Sequence, residues 1–103
     1  MSSIKIRAKH TGGTTRVRVL LRHPMETGLR VRRKTGEAVA AHHITEVTVR
    51  YRNKQLLTAD WGPGVATNPY LEFRFRGGVP GETLTLKWTD NRGGSDSRDA
   101  VIA

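Results

Sequence analysis

The chain has 103 residues, which is one small domain spanning 1–103 and too few for two. Leu, Ile, Val and Phe number 23, just above the fraction below which chains stay disordered, so a folded domain with a thin core is expected. Eighteen Lys and Arg against nine Asp and Glu leave a charge of +9, which favours an acidic partner, and the lack of cysteine removes disulfides, thiolate metal sites and cysteine catalysis. No stretch approaches the roughly 20 apolar residues of a membrane helix. Met1–His10 alternates Ile with Lys and Arg, where a secretory signal needs an unbroken apolar run.

Period two dominates the chain. Ile4, Ile6 and Ala8 alternate with Lys5, Arg7 and Lys9, and Val17, Val19 and Leu21 alternate with Arg16, Arg18, Leu20 and Arg22. Ile44, Thr45, Val47, Val49 and Tyr51 give a third segment, Leu56–Trp61 a fourth, and Leu71, Phe73 and Phe75 a fifth. Leu84, Leu86 and Trp88 follow as a sixth, with Arg98–Ile102 as a seventh. Side chains on a strand point alternately to opposite faces, so each segment has one apolar and one polar face. Turn residues separate them at Thr11–Gly13, Pro24–Gly28, Thr35-Gly36, Asn53-Lys54, Gly62–Gly64, Asn68-Pro69, Gly77–Gly81 and Asn91–Gly94. Seven half-buried strands without a helical stripe predict an all-β sandwich of two sheets, with a small barrel as the other arrangement. Leu29–His43 is the least strand-like stretch and is expected to be a long loop or ragged hairpin.

The cations sit on the polar phase of these strands, at Lys5, Arg7, Arg16, Arg18, Arg50, Arg52, Arg74 and Arg76. They suit a solvated sheet face, or a basic surface for RNA or DNA. The second reading wants interleaved aromatics, but Phe73, Phe75 and Trp88 fall on the apolar phase and only Tyr70 remains. A basic all-β nucleic-acid-binding domain is therefore kept as the alternative. Arg30, Arg32, Arg33 and Lys34 form the densest cationic run, placed either to steer an acidic partner or to keep a loop in water.

Of the four histidines, His42 and His43 are adjacent and point to opposite faces of an extended chain, while His10 and His23 follow strand ends. With no cysteine and no carboxylate at ligand spacing, neither a metal nor another cofactor is expected. Ser95-Asp96-Ser97 lacks the nucleophile-elbow pattern, Arg92 occupies a position where a calcium loop needs oxygen, and Gly62-Pro63-Gly64 is not followed by Gly-Lys-Ser/Thr. No catalytic residue is assigned. One turn, His23-Pro24-Met25-Glu26-Thr27-Gly28, presents Met25 near its apex on this reading, either packed into its own domain or anchoring a partner. The candidate partner-binding residues are His23, Met25, Glu26, Thr27, Arg30, Arg32 and Arg33.

His23-Pro-Met-Glu-Thr-Gly-Leu29, Leu57-Thr-Ala-Asp-Trp-Gly-Pro63, Asn68-Pro-Tyr-Leu71 and Trp88-Thr-Asp-Asn-Arg-Gly-Gly-Ser-Asp-Ser97 together resemble the SoxZ family. The resemblance runs from about Ile4 to Ile102 and implies an immunoglobulin-like sandwich. It also implies a non-catalytic subunit of the SoxYZ sulfur carrier of thiosulfate oxidation. In that family the cysteine of a SoxY partner's C-terminal tail carries the sulfur intermediate. A heterodimer with a SoxY-like protein, passing contacts with periplasmic sulfur-oxidising enzymes, and co-export with the signal-bearing partner follow as expectations. Neither membrane nor nucleic acid is an implied partner.

Overall fold

In a computed structural model, residues 3–62 and 64–103 are described; Pro63, in the Gly62–Gly64 turn and at the end of the second family-like motif, lies outside them, as do Met1 and Ser2. Seven strands form, in chain order: β1 (Ile4–Thr11), β2 (Thr14–Leu21), β3 (Ile44–Tyr51), β4 (Lys54–Asp60), β5 (Tyr70–Arg76), β6 (Thr83–Asp90) and β7 (Ser95–Val101). No helix occurs among the described residues. A three-stranded sheet in the order β1-β2-β5 packs on a four-stranded sheet in the order β4-β3-β6-β7, with all neighbours antiparallel. This is an immunoglobulin-like sandwich.

The alternation read from the sequence sets the two faces. Val17, Val19 and Leu21 of β2 meet Val47 and Val49 of β3 and Leu84 and Leu86 of β6, all fully buried. Each such side chain contributes on the scale of about 1.5–3 kcal/mol. Trp88 is buried as expected, and its Nε1–H donates to Ser3 Oγ at 3.0 Å. Phe73 and Phe75 face the same way but stay half-buried, because β5 is an edge strand and the second sheet covers it only in part.

Two strands start earlier than the sequence reading places them, and each ends one residue sooner, at Asp60 and Val101. β4 starts at Lys54, two residues earlier than expected, because Arg52 and Asn53 take positive φ (51° and 61°) and close a two-residue hairpin between Tyr51 and Lys54. β7 starts at Ser95, three residues earlier, because its polar residues pair with β6 from Thr89 onward. Backbone pairing needs no apolar side chain, so strands of this kind carry no periodic signal.

Candidate functional site: a projecting arm on a buried clamp

Between β2 and β3 the chain leaves the sandwich as a ragged hairpin. Glu26 and His42 exchange both backbone hydrogen bonds (2.7 and 3.0 Å), and a second bridge joins Val31 to Ala38. Further out, Val39 N–H donates to Arg30 O, Arg32 N–H to Glu37 O, and Gly36 N–H closes the tip onto Arg32 O. Gly28 is required at the base: its φ is 88°, and a Cβ there would meet the Ala41 Cβ at 3.2 Å. Every residue from 29 to 38 is exposed. The radius of gyration of 15.8 Å, against about 13 Å for a compact domain of this size, reflects the projection.

The base of the arm is held by a polar cluster that sequence spacing did not reveal. His23 follows β2, His42 precedes β3 and Asp90 ends β6; the two ring Nε2 atoms lie 3.1 and 2.9 Å from the same Asp90 Oδ2. Asp90 Oδ1 accepts the backbone N–H groups of Arg92 (3.0 Å) and Gly94 (2.7 Å). Burial alone would push the Asp90 carboxyl up; the His23 ring, the Gly94 N–H, the His42 ring and the Arg92 N–H outweigh it and hold it down at about 2. A Cβ on Gly94 would stand 2.8 Å from Asp90 Oδ2, so the turn has room for glycine alone.

His23, His42 and Asp90 bring two imidazoles and one carboxylate within 4.8 Å of one another, a grouping that sequence spacing, which showed no carboxylate at ligand distance, did not reveal. The hydrogen bonding shows what the set does. Met25 N–H donates to His23 Nδ1 at 3.2 Å, so Nδ1 is an acceptor and Nε2 carries the hydrogen given to Asp90. A cation ligated at Nε2 would force the hydrogen onto Nδ1, against the Met25 N–H. The cluster is thus arranged as a clamp that ties both ends of the arm to β6.

Met25 is 4% exposed and packs into the end of the sandwich, with its Sδ accepting the Ile44 N–H at 3.3 Å. It is not presented at a turn apex. Its φ of 49° is the left-handed region, and that backbone turns the side chain inward. His23 is buried as well. Glu26 is used within the chain: Arg30 Nε donates to both carboxylate oxygens at 3.1 Å and Nη2 to Oε1 at 2.7 Å, and the guanidinium holds the Glu26 carboxyl below its ordinary range. Thr27 is exposed, and its Oγ1 accepts the Leu29 N–H. Of the predicted set, Arg32 and Arg33 remain as exposed cations that form no ion pair within 4 Å among the described residues, joined by Lys34 and flanked by Leu29 (86% exposed) and Val31 (56%). These two apolar side chains are what the sequence reading missed; their position beside and within a basic run was the available signal.

The hydroxyl–carboxylate cluster of β7 is structural. Asp96 Oδ2 accepts the N–H and Oγ–H of Ser3, joining the chain's start to the four-stranded sheet. A family model described as sulphur oxidation protein SoxZ matches residues 4–101, from the first residue of β1 to the last of β7. No curated protein matches closely enough to count as a relative. With every strand residue of both sheets inside the match, the chain belongs to the SoxZ family of sulphur oxidation proteins.

Proposed function

We propose that this chain is the non-catalytic subunit of a sulfur-carrier complex, paired with a SoxY-like protein whose C-terminal cysteine holds the sulfur intermediate. The family match carries this reading. The sequence supports the division of labour, because a chain without cysteine has no thiolate on which to form such an adduct. The arm supplies the contact: Leu29 and Val31 bury apolar area on the partner, while Arg32, Arg33 and Lys34 steer an acidic surface toward it. The complex works in the periplasm, reached by co-export with the partner, where it meets sulfur-oxidising enzymes.

Co-expression with a SoxY-like chain, followed by size exclusion and mass measurement, tests this directly. A one-to-one complex is expected, and after exposure to thiosulfate and the oxidising enzymes the added mass should sit on the partner alone. Added sulfur mass on this chain, or two proteins eluting apart, refutes the reading.

A further inference from the structure

The outward face of the three-stranded sheet is a second concentration of charge, separate from the arm. Alternation places Lys5, Arg7 and Lys9 of β1, Arg16 and Arg18 of β2, and Arg74 and Arg76 of β5 on it, while Glu72 is the one carboxylate in these three strands. The register sets like charges opposite each other: Arg7 faces Arg18, and Lys9 faces Arg16, which in turn faces Arg74. Directly opposed like charges destabilise a sheet. Glu72 pairs with Arg16 and lies 3.9 Å from Arg18, which offsets part of the repulsion. Among the described residues, Arg7, Lys9, Arg74 and Arg76 have no carboxylate at ion-pair distance.

One end of this face is different. Lys5, Leu20 and Tyr70 form a cross-strand row, with Leu20 and Tyr70 exposed to 37% and 58%. A shallow depression of about 140 Å³ opens there, lined by Lys5, Arg7, Arg18, Val19, Leu20 and Tyr70. We propose that this sheet face is a docking surface for an acidic protein, whose carboxylates lie along the cationic rows and whose apolar side chain seats between Leu20 and Tyr70. Arg and Tyr around a shallow apolar seat are the composition of a protein interface. Single-stranded nucleic acid needs successive aromatics for its bases, and this face has one, at its end. The proposal concerns a surface other than the arm and stands whether or not the arm binds a SoxY-like chain.

The test uses the intact chain and three probes of matched negative charge: an acidic peptide with one central tryptophan, the same peptide without it, and oligothymidylate. The tryptophan peptide should bind several-fold tighter than its control, and Tyr70→Ala should remove that difference. Lys9→Glu, which gives Arg16 an opposite charge across the strand pair, should weaken peptide binding by about tenfold or more while the melting temperature holds or rises. Changing Arg32, Arg33 and Lys34 to Ala removes more charge than Lys9→Glu yet should weaken binding less. The assignment falls if the tryptophan makes no difference, if the arm variant is the more damaging one, or if oligothymidylate binds tighter than the tryptophan peptide at equal ionic strength.

Discussion

The two ends of the 22–43 excursion each combine apolar with nitrogen-bearing side chains and treat them oppositely. At the base, His23, Met25 and His42 are turned toward the sandwich, and each polar atom that the clamp uses has a named partner. At the tip, Leu29, Val31, Arg32, Arg33 and Lys34 face solvent. The difference teaches that a loop is divided by its hydrogen bonds rather than by its composition. The base belongs to the fold and bears stability, whereas the tip faces solvent and adds nothing to the core. Glu26 and Arg30 mark the boundary, neutralising each other where the hairpin leaves the domain.

The sharpest way to break this division is at Asp90. Asp90→Ala strands the two ring N–H donors and two backbone N–H groups, and about 3–5 kcal/mol of stability should disappear in chemical denaturation. The carboxyl also predicts a pH limb. Its folded value near 2 lies below the ordinary 3.8, so the unfolded chain binds more protons between them. The stabilisation, roughly 2 kcal/mol, is complete above the ordinary value and is lost as pH falls toward 2. The acid limb should shrink in the Asp90→Ala variant, leaving only the part that carboxyls such as Glu26 and Asp96 contribute, and an unchanged limb would disprove the clamp.

Met25→Ala is next in size. Removing a buried, unbranched side chain from the end of the sandwich should cost about 2–4 kcal/mol and lower the melting temperature, with partner affinity per folded molecule kept. A loss of affinity at constant melting temperature would reverse the assignment of base and tip. The smallest effect on stability belongs to the tip. With Arg32, Arg33 and Lys34 changed to Ala, stability should move by no more than about 0.5 kcal/mol. Association with the SoxY-like chain should slow at low salt while dissociation changes little. Equal association rates would reduce these cations to solubility.

Much of the architecture can be read along the chain. Five of the seven strands announce themselves because one face is buried and the other is wet, as in Val17-Arg18-Val19 or Leu84-Thr85-Leu86. Lys54–Asp60 and Ser95–Val101 are blurred at their starts, since Lys54, Gln55, Ser95 and Asp96 pair with the neighbouring strand without an apolar side chain to mark the phase. The cationic run of the arm is likewise visible in sequence, as is the absence of a thiol. Tertiary structure alone decides the rest. His23, His42 and Asp90 are separated by 19 and 48 positions, and only the sandwich's packing brings their polar atoms onto one oxygen. Met25 turns inward because of a left-handed backbone angle that residue type does not dictate. Whether two like charges face each other across a sheet depends on strand register, so the opposition of Lys9, Arg16 and Arg74 exists only once β1, β2 and β5 are paired.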